Sequence, residues 1–99
     1  MIKVIVERHA KGIESLPPLL RELRAAAMHQ SGYITGETLV STEDKSIVVV
    51  ISTWRSLKDW KAWETSETRA RLYQQIEPLL AQKPKVSTYQ IMATEAKVG

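Results

Sequence analysis

The run from Ile47 to Trp54, IVVVISTW, constrains this chain more than any other stretch. Written as a strand, its IVVVI core is apolar on both faces, so both faces need cover. One layer of helices covers only one of them. A chain of 99 residues buries only about 60% of the surface its unfolded form exposes, so its core is thin and a second surface laid against the strand would add to it.

The rest of the chain supplies the layer. Ile2 to Arg8 alternates, with Ile2, Val4 and Val6 on one face and Lys3, Ile5 and Glu7 on the other, which predicts a first strand with one fully buried face. From Ile13 the apolar positions Ile13, Leu16, Leu19, Leu20, Leu23, Ala26 and Ala27 recur at helical steps. With Pro17 and Pro18 at its start, either the regular helix begins near Pro17, with Ser15 or Leu16 as its cap, or a looser turn precedes it. Gly32 ends it, with His29 in its last turn. GYITGETLVS predicts a second strand, in which Gly36 marks a bulge or a close backbone approach.

TEDK makes a hairpin turn into the run from Ile47 to Trp54. Ser56 with Asp59 three residues later resembles a capping box and starts a short helix carrying Leu57, Trp60 and Trp63. Thr65 and Ser66 interrupt it and cap a second segment, Glu67 to Leu80. There Ala70, Tyr73, Ile76 and Leu80 share a face, Arg69, Arg71 and Gln75 point outward, and Pro78 weakens the last turn. Val86 to Ala93 is the fourth strand, and residues 93–99 are a tail. The order strand, helix, strand, strand, split helix, strand predicts one α+β domain of ferredoxin-like β-α-β-β-α-β type, with an antiparallel four-stranded sheet and helices on one face. Its bare face then packs on that of a second copy, giving a homodimer.

Composition excludes several function classes. The chain has no cysteine, and so no disulfide, thiolate metal site or cysteine nucleophile. Its net charge of +3 comes from Lys and Arg interleaved with acids, as in ERHAKGIE and SETRAR, so no basic stripe points to nucleic acid. No apolar run reaches the roughly 20 residues of a membrane span, and MIKVIVERH is no signal peptide, so a cytoplasmic location is expected. His9 and His29 are the only imidazoles, and no carboxylate stands at metal-ligand spacing from either.

Three segments, VIVERHAKG, LLRELRAAAMHQSGYITGETL and VVVISTWRSLKDWKAWETSETRARLY, together resemble the antibiotic biosynthesis monooxygenase family of dimeric α+β barrels. The most specific feature is Trp54-Arg55-Ser56 at a strand end, followed nine residues after Trp54 by an inward aromatic, here Trp63. The resemblance implies a pocket between helices and sheet in each subunit. It also implies one of several activities: cofactor-free oxidation of quinols or polyketide phenols, heme degradation, or none assigned. The heme-degrading pattern needs a histidine ten residues after Trp63, where this chain has Tyr73, and an asparagine on strand one, in a chain without asparagine.

The expected activity is therefore a cofactor-independent monooxygenase acting on a small aromatic, phenolic or quinol substrate. Trp60, Trp63 and Tyr73 either fill the core or line a flat slot that stacks the ring, with the Tyr73 hydroxyl on a substrate oxygen. Such chemistry needs a base to make a phenolate, for which His29, His9 and Glu7 are candidates, and a donor for the oxyanion, for which Arg8 is the candidate. A non-catalytic ligand-binding or stress-associated module, and a heme-binding protein using Tyr73, are the alternatives.

Overall fold

A computed structural model of the chain describes residues 1–12 and 16–97. The elements are β1 (Ile2–His9), α1 (Leu16–Met28), β2 (Tyr33–Val40), β3 (Ile47–Trp54), α2 (Leu57–Glu64), α3 (Glu67–Ile76) and β4 (Lys85–Gln90). The strands form one antiparallel sheet in the order β2-β3-β1-β4. This is the ferredoxin-like arrangement, with β1 and β3 paired at its centre.

Register fixes which residues face the helices. Ile2 lies opposite Trp54, Val4 opposite Ser52, Val6 opposite Val50 and Arg8 opposite Val48. Side chains alternate along a strand, so these pairs share one face. Val4, Val6, Val48 and Trp54 are buried there against Leu16, Leu20 and Leu23 of α1, the tryptophans of α2 and Ile76 of α3. Burying each such aliphatic side chain contributes about 1.5–3 kcal/mol. The opposite face carries Ile5 opposite Ile51 and Glu7 opposite Val49, with Leu39 and Tyr89 exposed at its edges.

Local chemistry explains the boundaries. Pro17 and Pro18 sit in the first turn of α1, where a missing N–H costs nothing; Ile13 and the capping role expected of Ser15 lie outside the described residues. Gly32 follows with φ +84, a conformation L side chains rarely adopt, and its carbonyl accepts the Arg55 N–H at 2.7 Å. Ser56 caps α2 by accepting from the Asp59 N–H at 3.1 Å while its hydroxyl donates to the Asp59 carboxylate at 2.9 Å.

Four expectations need correction. α3 ends at Ile76, not Leu80, and the chain runs on as a 3-10 turn over Glu77–Leu79, because Pro78 has no N–H to continue the helix. β4 stops at Gln90, though the Ile91 N–H still reaches the Met1 carbonyl. His29 lies just beyond α1. The irregularity in β2 falls between Tyr33 and Thr35, not at Gly36; what Gly36 accommodates is the Tyr33 hydroxyl, which occupies the place a Cβ would take. No helix among the described residues is long and apolar enough to cross a membrane.

Candidate functional site

β1 alternates valine and isoleucine into the core until Arg8, which follows Val4 and Val6 on the same face and is only 2% exposed. A guanidinium stays charged at any ordinary pH, so its burial requires partners. Its Nη2 donates to the Tyr73 hydroxyl at 2.6 Å. One helical turn before Tyr73, Arg69 donates from its own Nη2 to the same oxygen at 3.2 Å. The Arg69 guanidinium lies 4.3 Å from the Tyr73 ring centroid and 5.6 Å from that of Trp60. Burial pushes the Arg69 pKa below its ordinary value; Tyr73 and Glu64 oppose that shift and Arg8 adds to it. The Ser66 hydroxyl, accepting from the Arg69 N–H at 3.2 Å, starts α3 in the orientation that aims Arg69 and Tyr73 at the sheet.

Between helices and sheet these side chains border a cavity of about 50 Å³, lined among others by Arg8, Ser52, Trp54, Trp60, Trp63 and Arg69. Trp54 donates its indole N–H to Ser52 at 3.0 Å and packs edge-on against Tyr33 and Trp60. Arg24 of α1, another lining residue, donates to Thr38 at 2.7 Å. Burial raises the pKa of the nearby Tyr33 phenol, and Arg24 works against that rise. Among the described residues, the buried side-chain nitrogens and oxygens lacking a protein hydrogen-bond partner are Arg8 Nε, Arg8 Nη1 and Trp60 Nε1.

Of the residues singled out from the sequence, Arg8, Trp60 and Trp63 line this cavity, and Tyr73 reaches it through the two guanidiniums it binds. His9 and His29 do not line it. His9 is on the opposite sheet face, where its ring meets the Glu7 carboxylate at 3.0 Å, because neighbours on a strand point to opposite sides of the sheet. His29 is exposed after the end of α1. Arg69, expected to point outward, instead turns in. Its signal was present in the sequence, since it lies four residues before Tyr73 and therefore shares its helix face. Ser52 and Tyr33 carried no signal beyond their strand positions.

Heme does not fit these residues. Two guanidiniums occupy the Tyr73 hydroxyl that would have to reach iron, and about 50 Å³ is far below the space a porphyrin fills.

Comparison with known proteins agrees with this fold. Similar solved structures include a conserved protein from Methanosarcina mazei Go1, with 14% identity, 90% of each chain covered and a TM-score of 0.84. A second is an antibiotic biosynthesis monooxygenase, with 23% identity, 94% of this chain and all of that one covered, and a TM-score of 0.85. A third is SnoaB, a cofactor-independent oxygenase from Streptomyces nogalater, with 10% identity, 97% of each chain covered and a TM-score of 0.86. At such identities the likeness concerns the fold alone. A comparison with curated proteins gives no match. Residues 2–80 match the antibiotic biosynthesis monooxygenase family, and on that match, over most of its length, the chain belongs to this family.

Proposed function

We propose that the protein is a cofactor-independent monooxygenase acting on a small aromatic, phenolic or quinol substrate held between the helices and the sheet. The observation that carries this reading is the cluster of Arg8, Tyr73 and Arg69 at a tryptophan-walled cavity. A phenol becomes able to reduce oxygen when it loses its proton, and a nearby cation favours the charged form. In this site the guanidiniums lower the phenol's pKa rather than accept its proton, which passes to water.

The phenolate gives an electron to O2, and the two radicals combine at a ring carbon as a peroxide. Protonation and loss of water then leave one oxygen atom on the ring as a carbonyl. Arg8 and Tyr73 hold the oxyanion throughout, while Trp60 and Trp63 supply the apolar wall. A ring exceeds the cavity's present volume, so entry requires Arg69 to swing out from between Trp60 and Tyr73.

Oxygen uptake with a panel of hydroquinones and anthrones tests the reading. Tyr73→Phe lowers the rate by roughly 100-fold, the scale of losing one oxyanion donor, and Trp63→Ala also lowers it, both at unchanged circular dichroism. Absence of uptake with every compound would instead favour a non-catalytic ligand-binding module, a reading helped by the distance of both histidines from the cavity. The proposed assembly is a homodimer through the open sheet face, where Ile5, Val49 and Ile51 gather.

A further inference from the structure

The unmet hydrogen-bonding groups of the interior share one character. Arg8 Nε, Arg8 Nη1 and Trp60 Nε1 are all donors, and both residues line the same cavity. The Tyr73 hydroxyl adds another. It accepts from Arg8 and Arg69, which occupies its two lone pairs, so its own proton is free to be donated. Among the described residues no carboxylate forms an ion pair with either guanidinium, although Glu64 lies close enough to favour the charged form of Arg69. Among the described residues the acids held in ion pairs are Glu7, bound to His9 on the far face, and Glu64, bound to Lys61. Glu37 borders the cavity but sits on β2 opposite Ile51, on the open face, with its side chain exposed.

We infer that the cavity is an anion receptor, and that the substrate class is an aromatic carboxylate whose carboxylate group seats against Arg8, Trp60 and Tyr73. This puts the substrate's carboxylate, in place of the phenolate oxygen, on Arg8 and Tyr73, and rests on the oxygenase reading only for what happens to the ring. Hydrogen counting separates a carboxylate from a phenolate. Arg8 Nε offers one hydrogen, Nη1 two, and Trp60 Nε1 and Tyr73 one each. A single phenolate oxygen has at most three lone pairs for these five hydrogens, whereas the two oxygens of a carboxylate present about four sites and leave one hydrogen over. Volume agrees, because about 50 Å³ suits a carboxylate group and excludes a ring. The ring then takes the slot between Trp60 and Tyr73 that the planar Arg69 guanidinium now fills. Released from the slot, Arg69 supplies a second positive charge over the bound anion.

The test compares 4-hydroxybenzoate with its neutral isostere 4-hydroxybenzamide by tryptophan-fluorescence titration of the whole protein under nitrogen. The carboxylate binds at least about tenfold tighter, which corresponds to about 1.4 kcal/mol, and Arg8→Gln brings the ratio close to one. Equal affinities, tighter binding of the amide, or no binding of either compound overturns the inference on the wild-type protein alone, whether or not the variant folds. Oxygen uptake is measured separately. A carboxylate preference without uptake removes the oxygenase reading and leaves the receptor, whereas uptake with neutral quinols and no carboxylate preference does the reverse.

Discussion

Tyr73 holds two cations in place with one oxygen. Replacing it with phenylalanine strips Arg8 of its only acceptor among the described residues, and Arg8 is almost wholly removed from solvent. Leaving a buried charged donor unpaired costs about 1–3 kcal/mol or more, so Tyr73→Phe lowers the melting temperature by roughly 4–8 °C for each kcal/mol lost. Adding Arg8→Met to that variant restores stability, because a packed apolar side chain in place of a buried, unpaired charge is neutral or favourable. Calorimetry of the single and double variants checks both statements. An unchanged melting temperature in Tyr73→Phe would mean that Arg8 has another acceptor.

Among the elements, the β2–β3 hairpin carries a titratable lock. The Asp44 carboxylate accepts from the Ser46 hydroxyl at 2.6 Å and from the Ser46 N–H at 3.0 Å. Those bonds hold its pKa below the ordinary value of 3.8, with burial opposing slightly and His9 assisting. A depressed acid pKa stabilises the folded state above the unfolded value, and that contribution disappears as pH falls through the folded one. Asp44→Ala therefore melts below wild type at neutral pH, and the gap narrows as pH drops below about 4. Melting curves from pH 7 to pH 2.5 measure it, and a constant gap would show that Asp44 acts through something other than its charge.

The elements were also the most legible part of the sequence. β3 appeared with its observed bounds because both of its faces are apolar, and Ser56 and Ser66 marked two helix starts by their side-chain chemistry. The site was half legible. Arg8, Trp60 and Trp63 could be chosen by type and position, but helical amphipathicity assigned Arg69 to solvent because it counts a charge as exposed. Only the three-dimensional pairing with Tyr73 and Trp60 gives that charge a reason to turn inward.

For the whole molecule, helices cover one face of the sheet and leave the other with Ile5 beside Ile51 and Leu39 beside Val49. A second copy laid on that face gives about twice the 11.2 kDa chain mass by light scattering. Ile51→Glu puts a charge at the centre of the contact and returns the mass to that of one chain, with helix and sheet content unchanged. A wild-type protein that stays at one chain mass at micromolar concentration would remove the dimer.

β1 meets both demands at once, hydrogen-bonded to β3 on one side and β4 on the other. Insertion of one residue before Val4 would exchange its two faces, carrying Arg8 to the open side and Glu7 and His9 into the core. Insertion of two would keep the faces and shift only the depth of the cation along the strand. The parity of β1 is thus a shared inheritance of site and surface, so length variation in this strand is tolerable only in even steps.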